Sequence, residues 1–438
     1  MFKRLAIGVL VLLGAGINAS AQAYGGYTPY SIFGVGDLYG EGTAYNRSMG
    51  GVGIASRDNH FINPVNPAAI TARDSLAFMA DVSLYNENKI FHQGSMKSAS
   101  NVTNVGDLII SFPIYRSSAM MIGVMPYSST GFGYISSYND PSLNAEMGDI
   151  TYTGSGQGGL YQVFAAGAAT FFNSLSVGAE AIYIFGNNQK TYYETITDAS
   201  YLGAINGYDV LINGWTGKFG LQYEQKLPKG SLTVGVTYRL STNVSGSVDA
   251  YRYSTGTAST DTLYHHFAGL SEYATPIRLG DELGVGINYR SDKWMAEFNY
   301  ISSDWTSSGM DTAEGFAGNL IPGSTASIFS LNKSRAFRAG FEIIPNKSDI
   351  RYYFNRCAYR AGLFYKTDYF KLDGKEVTSY GLTVGTTLPV FRWYNGLTLG
   401  MEIGRRGSIK DNMIKENYIK FNIGLNIFDI WFQKPKYD

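Results

Sequence analysis

The chain has 438 residues, and its 35 basic and 35 acidic side chains cancel to a formal net charge of zero. Neutrality removes the electrostatic case for a nucleic-acid partner, whose phosphates call for a basic face, and the single cysteine, Cys357, excludes an internal disulfide framework and a cysteine-rich metal site. With 45% hydrophobic residues, 16% charged, 52 glycines and 34 tyrosines, the chain is poorer in charge and richer in aromatics than an ordinary soluble domain, so something other than water covers part of its surface.

Lys3 and Arg4 precede the apolar run Leu5 to Ala15, and Ala19-Ser20-Ala21 follows as a small-x-small cleavage site. This is the pattern of a secretory signal peptide over residues 1–21. The apolar run is too short to cross a bilayer as a helix, and no later stretch reaches about 18 uninterrupted apolar residues. No cysteine follows the cleavage site, which argues against a lipoprotein.

Residues 22–73 form a second unit. Their heart, "RSMGGVGIASRDNHFINPVNPAAI" from Arg47 to Ile70, is small, glycine-rich and polar and shows no alternation. Glycines let a backbone pack closely against its surroundings, and Pro64 and Pro67 stop the segment from joining a sheet. Asn66 and Arg47 are placed to satisfy polar groups that such packing buries.

From residue 74 to 432 a repeat of two takes over. "LGVGINYR" puts Leu283, Val285, Ile287 and Tyr289 on one face and Gly284, Gly286, Asn288 and Arg290 on the other, and a second run from Trp294 to Tyr300 follows after a two-residue turn. Similar runs are Leu76 to Leu84, Leu108 to Ile114, Leu175 to Phe185, Leu232 to Leu240, Phe337 to Ile343, Leu397 to Ile403 and Ile419 to Ile427. The total is about 14, an even number of the kind found in single-chain bacterial outer-membrane barrels. Connections alternate in length. Short ones are expected near 116–118, 173–174, 227–230, 291–292 and 389–394, and long ones near 87–103, 136–157, 188–206, 248–277 and 306–333. Short periplasmic turns opposite long outer loops produce this parity in an all-β transmembrane antiparallel barrel. The connection near 346–356, "NKSDIRYYFNR", breaks it.

In lipid the backbone must pair within a closed ring while outward side chains are apolar. The inward positions expected here carry both signs: Glu180, Glu297, Glu342 and Glu402 beside Arg239, Arg290, Arg338 and Arg360. A barrel of about 14 strands is too wide for its own wall side chains to fill, so residues 22–73 are expected to plug it. In the third strand, "MMIGVMPYSSTGFGYIS", Pro126 lacks a ladder donor and Gly131 and Gly133 lack side chains to pack, which predicts a kink or bulge there. The last strand, "YIKFNIGLNIF", runs on to Trp431-Phe432 and is similar in pattern to the sorting signal read by the barrel-assembly machinery. The tail 433–438 extends past it.

The order Arg47, Gly50, Gly51, Ala55, then Asn66, Pro67 and Ala68, all upstream of the first strand, resembles the N-terminal hatch of FadL-type proteins, outer-membrane transporters of long-chain fatty acids and aromatic hydrocarbons. Two later blocks, Gly154 to Gly186 and Thr275 to Trp305, extend the resemblance over most of the mature chain. It implies a 14-stranded barrel with a hatch, a kink in the third strand that forms a lateral exit at Pro126, Gly131 and Gly133, and a hydrophobic capture groove on two outer loops. The corresponding residues here are Tyr192, Tyr193, Tyr201 and Leu202 on one loop and Tyr264, Phe267 and Leu270 on the other.

Enzymatic readings are poor. The four histidines are His60, His92, His265 and His266; none has an evident nucleophile partner, and the His265-His266 pair lacks two further metal ligands at suitable spacing. No cofactor or metal is called for. Two functions remain: passive uptake of a hydrophobic small molecule, or an accessory role in a larger outer-membrane complex. The expected partners are outer-membrane lipid, a hydrophobic ligand, the barrel-assembly machinery during biogenesis and other subunits of a complex.

Overall fold

A computed structural model describes residues 26–430 apart from 75, 116, 139, 256–259, 320, 323–326, 391–395 and 411–412. The expected signal peptide, residues 22–25, most of the 389–394 turn, Trp431, Phe432 and the tail 433–438 lie outside the described residues.

The wall strands are β1 (Ala77–Gln93), β2 (Met96–Tyr115), β3 (Ser118–Ser129, continuing as Phe132–Tyr138), β4 (Ile150–Phe171), β5 (Leu175–Ile196) and β6 (Gly203–Leu227). Next come β7 (Gly230–Arg239, continuing as Ser245–Thr255), β8 (Thr260–Gly269, resuming as Asp281–Arg290), β9 (Trp294–Asp304) and β10 (Phe329–Leu331 and Lys333–Ile343). The ring is completed by β11 (Ala358–Leu372), β12 (Lys375–Pro389), β13 (Gly396–Arg406) and β14 (Lys415–Ile430). These make a closed antiparallel barrel of 14 strands, with β14 paired to β1 from Ala77↔Ile430 to His92↔Lys415.

The alternation read from the sequence is the wall's inside and outside. Leu283, Val285 and Ile287 are exposed on the outer face, whereas Gly284 and Gly286 between them and Asn288 after them are buried toward the lumen. In β9, Glu297 and Asn299 face inward, flanked by Trp294, Phe298 and Tyr300 facing out. Lipid rewards the apolar face and the ring pairs the strand backbones, which is why these residues form a barrel and not a soluble sandwich.

Three of the expected outer loops are corrected by the strand lengths. Residues 87–103 are mostly strand, since β1 and β2 run to a tight turn at 94–95. In 188–206 the strands reach Ile196 and resume at Gly203, and in 248–277 they form the hairpin Ser245–Thr255 with Thr260–Gly269. Above the membrane these hairpins meet water on their outer face, so pairing continues while apolar alternation fades. Asn86, Asn88 and Asn101 show this, bonded to one another across β1 and β2 (2.6–3.3 Å). In the expected loop 136–157, a short helix, α2 (Pro141–Met147), sits between β3 and β4; α1 (Ala44–Arg47) lies upstream of the barrel.

Residues 26–74 cross the lumen. They touch inward-facing groups on strands all around the ring, which only a segment inside the barrel can do. Wall glycines mark its track: a Cβ added at Gly178 of β5 would lie 2.5 Å from the Pro67 backbone, and one at Gly340 of β10 would lie 2.6 Å from the Met49 carbonyl oxygen. At Gly235 and Gly362 it would overlap the backbones of Ile54 and Gly50.

Candidate functional site

The lumen contents are the candidate site, starting with how the N-terminal segment is held. α1 is closed at its start by Asn46, whose Oδ1 accepts from the Thr43 backbone N–H (3.1 Å) and whose Nδ2 donates to the Val52 carbonyl (2.9 Å). The chain then turns back through Gly50 and Gly51, both in the left-handed region (φ 71° and 74°) where a side chain is strained. Gly50 N–H donates to Thr383 Oγ1 (2.7 Å), and the Gly51 carbonyl accepts from Arg338 (2.9 Å). Arg47 reaches the opposite wall, donating to the Gly106 carbonyl (3.2 Å) and facing Asp107 at 3.7 Å.

The two Asn-Pro steps use asparagine as a brace. Asn63 Nδ2 donates to the Gly53 and Ser56 carbonyls (2.7 and 3.1 Å); Asn66 Nδ2 donates to the Ile54 carbonyl (2.7 Å) and to the Leu221 carbonyl of β6 (3.4 Å). Asn66 Oδ1 accepts from Ala68 N–H (2.9 Å), capping a turn that Pro67 opens. Amide side chains of this kind replace the ladder bonds that the prolines remove.

The inward charges serve the same segment. Glu297 accepts from the Ala55 N–H (3.0 Å), Arg290 contacts Asp58 (3.0 Å) and Glu342 (3.6 Å), and Arg360 contacts Glu342 (2.8 Å). Arg360 also lies over the stacked rings of Tyr45 and Phe61, at 4.3 and 5.2 Å. Burial pushes the Asp58 carboxyl up, but Arg290 and His60 overcome it and hold the group below its usual range. Glu41, facing Lys218 and Arg239, is likewise held low against burial. Asp37 is lowered to about 2: burial opposes ionisation, and Arg406 at 2.9 Å, with Lys89 and Lys366, outweighs it.

The third strand breaks as its composition predicts. β2 and β3 pair from Tyr115↔Ser118 only as far as Leu108↔Val124, two residues before Pro126. Beyond that point residues 96–107 of β2 have no wall partner on this side among the described residues. β3 keeps β4 as a neighbour, with a register shift between Pro126 and Ser128, and gives its other edge to the N-terminal segment: Leu38↔Ser128 and Asp37↔Ser129. The Gly131 carbonyl accepts from Thr28 N–H (2.7 Å) and Ser31 Oγ (3.1 Å), and the Gly133 carbonyl accepts from Tyr27 OH (2.9 Å). The kink therefore turns a strand edge toward residues 27–39 and holds them.

The outer part of the lumen is apolar and packed. Phe33 stacks on Phe329 (5.4 Å), Trp305 lies against Tyr369 (4.7 Å), and Phe132, Phe316 and Phe370 join the same buried cluster. The connection 305–319 supplies Trp305, Met310 and Phe316 from above, each at most 1% exposed. Lys190 ties it to the N-terminal segment, donating to the carbonyls of Gly315 (2.7 Å) and Ile32 (2.5 Å). This infolding was not foreseen. Its signal is the loss of alternation in "GMDTAEGFAGN", which keeps large apolar residues where a solvated loop has no use for them.

The expected groove residues divide between two faces. Tyr192 and Leu270 are buried in the apolar cluster, Tyr193, Leu202 and Phe267 are exposed, and Tyr264 is half-buried with its OH on Glu314 (3.2 Å). Tyr201 is half-buried, its OH on Glu146 (3.2 Å). Alternation along strands separates neighbours such as Tyr192 and Tyr193. Below the apolar cluster two adjoining cavities remain, of about 140 and 110 Å³, lined by Asp37, Glu41, Arg338 and Lys366 in common.

A family model described as BamG matches residues 1–438. The chain belongs to the BamG family. Among solved structures it is similar to the Ralstonia pickettii toluene transporter TbuX, at 17% identity over 89% of this chain and 98% of that one, with a TM-score of 0.60. It is also similar to a Pseudomonas aeruginosa FadL homologue (10% identity, 90% and 100% covered, TM-score 0.56) and to the P. putida toluene transporter TodX (14%, 91% and 100%, 0.56). At these identities the likeness is one of fold: this BamG-family chain is built as a FadL-type barrel. No curated protein matches it.

Proposed function

We propose that this BamG-family barrel is an accessory subunit of an outer-membrane assembly linked to the barrel-assembly machinery. The observation that carries the reading is the filled lumen. Sites for hydrophobic ligands are mostly apolar and of about 300–1,000 Å³. Here the apolar outer part is occupied by Trp305, Phe316, Phe33 and Phe370, while the two cavities below, about 140 and 110 Å³, are smaller than that and mix the charged Asp37, Glu41, Arg338 and Lys366 with Leu38, Tyr39 and Ala336. A hydrocarbon entering there leaves buried charged groups without partners. The family name itself points to the machinery that assembles barrels. The test is gentle detergent extraction of a tagged chain from its own outer membrane, followed by mass spectrometry. Components of the barrel-assembly machinery at stoichiometric yield are expected; a chain that purifies alone, and whose deletion slows only hydrocarbon uptake, overturns the reading.

Passive uptake of a hydrophobic small molecule is the second reading. It is favoured by the break between β2 and β3 and by the fold shared with toluene transporters. On that reading Pro126, Gly131 and Gly133 form a side exit, Arg47, Gly50, Gly51, Asn66, Pro67 and Ala68 hold the hatch, and the exposed loop residues capture the ligand. Pro126→Val then lowers uptake into outer-membrane vesicles by restoring β2–β3 pairing; unchanged uptake reduces the kink to an anchor for residues 27–39.

A further inference from the structure

Three neighbouring wall strands, β14, β1 and β2, turn a patch of oxygen atoms into the lumen beside α1. Asp81 of β1 stands opposite Asn426 of β14, and Ser83, the next inward position along β1, stands opposite Asp107 of β2. The register of β1 and β2 slips at this rung: Ser83 pairs with Asp107 and Leu84 with Val105, so Gly106 is an extra residue. A bulge of this kind re-aims a side chain. It turns Asp107 inward beside Leu108, where the pairing of β2 with β3 ends. Asp81, Ser83, Asp107 and Asn426 are each at most 3% exposed.

Two carboxyl groups are thereby buried against each other, for Asp107 and Asn426 both close on Asp81. Their hydrogen bonding is incomplete. Ser83 Oγ donates to Asp107 Oδ2, but Asp81 Oδ1 and Asp107 Oδ1 accept no hydrogen bond, and neither polar atom of the Asn426 amide is in a well-directed one. Fixed positive charge also falls short. Arg47 of α1 approaches from one side, 3.7 Å from Asp107 Oδ2 and 3.4 Å from Ser83 Oγ, and donates as well to the Gly106 carbonyl (3.2 Å). Arg73, one rung towards the short turns, is spent on the Ile70 and Ala77 carbonyls and on Ser111. Lys420 faces Glu87 and Glu402. Two carboxylates against one guanidinium leave a buried negative charge, which is costly unless a further cation joins it.

We propose that Asp81 and Asp107, with the Asn426 amide oxygen and the Ser83 hydroxyl, bind a calcium ion. Every donor is an oxygen, the choice of a hard cation, and calcium accepts the irregular arrangement that magnesium, held to an octahedron, refuses. Either orientation of the Asn426 amide is open, so its oxygen can turn to the ion. The ion ties β14, β1 and β2 together at the rung where β2 loses β3, and so fixes the wall on which Arg47 holds the N-terminal segment. This goes beyond both readings of the barrel's function and depends on neither.

The test is equilibrium dialysis of the chelator-treated full-length barrel in detergent against radiolabelled calcium. One ion per barrel is expected, with an affinity at least about tenfold weaker in Asp81→Asn and in Asp107→Asn. Calcium should also raise the unfolding temperature of the parent and leave that of both variants where it was. Heat-modifiable gel mobility shows that each barrel has folded; should the carboxyl variants fail there, Asn426→Ala, which keeps both charges and loses one donor, decides by its weaker affinity. No saturable binding to the parent overturns the proposal and leaves a proton shared between the two carboxyls. Binding equal in the parent and the folded variants overturns it too, and places the ion on co-purified lipopolysaccharide or elsewhere on the chain.

Discussion

The outer and middle parts of the lumen are filled by opposite means. The outer part is closed by apolar packing, with Trp305, Phe316, Phe329 and Phe370 interlocked. Below it the lumen is closed by charge, with Asp37 on Arg406 and, nearer the short-turn end, with Glu342 between Arg290 and Arg360. The outer seal is an infolded connection that the barrel could lack and still be a barrel. The middle seal is a ring of wall side chains reaching a segment from another part of the chain. The first therefore behaves as a lid and the second as part of the wall, and each should fail under a different perturbation.

Trp305→Ala should have the largest effect on the outer part, about 3–5 kcal/mol, because a fully buried indole leaves a cavity on Tyr369. Protease resistance of the 305–319 connection is the readout. It should fall while barrel mobility on gels persists, and if both fall together the lid and wall are one unit.

Arg360→Ala attacks the middle. Removing a buried cation from Glu342 and from the faces of Tyr45 and Phe61 should cost about 3 kcal/mol in thermal unfolding of the detergent-solubilised barrel. A loss below about 1 kcal/mol would mean that the wall holds without its charge ring.

Acid separates the two seals without mutation. Asp37 is lowered to about 2, so its contribution is whole above the ordinary carboxyl range and is lost as pH falls through about 4 towards 2. Loosening of residues 36–39, followed by hydrogen exchange, should appear in that window and amount to about 2 kcal/mol. In Asp37→Asn the window should vanish, whereas the apolar outer cluster should be indifferent to pH throughout.

Asn66→Ala gives the smallest effect, about 1.5 kcal/mol, by removing the donor to the Leu221 carbonyl and the acceptor of the Ala68 N–H, while the Ile54 carbonyl keeps Gln222 Nε2 (2.9 Å). Conductance in planar bilayers tests whether this brace also prevents leak. Small steps absent from the parent are expected, and silence would assign the seal to Arg360 and Arg290 alone.

The wall was legible because lipid imposes one rule on every strand. Leu283 to Arg290 and Trp294 to Tyr300 declare two faces in the sequence itself, and the break at Pro126 follows from the missing donor. The filling of the lumen was far less so. Residues 87–93, 96–103, 188–196 and 203–206 are strands that water covers on one face, so they lose the apolar signature without losing their pairing. The partners of Arg47 and Asn66 lie 59 and 155 residues away in the chain, a separation that no local pattern encodes. Trp305 and Phe316 carry only the weak signal of large apolar side chains in a glycine-rich connection. The parity exception at 346–356 was visible from spacing, but that Asp349 orders it and that Ile350 faces Phe61 required coordinates.

The account stands on an outer lumen that, among the described residues, is filled by Trp305, Phe316, Phe33 and Phe370. Equilibrium binding of radiolabelled palmitate and toluene to the purified barrel tests this most directly, with the Trp305→Ala/Phe316→Ala chain as the control in which space is made. The account predicts no saturable binding to the parent and measurable binding to the opened chain. Saturable binding of one molecule per parent barrel would contradict it and restore uptake as the first reading.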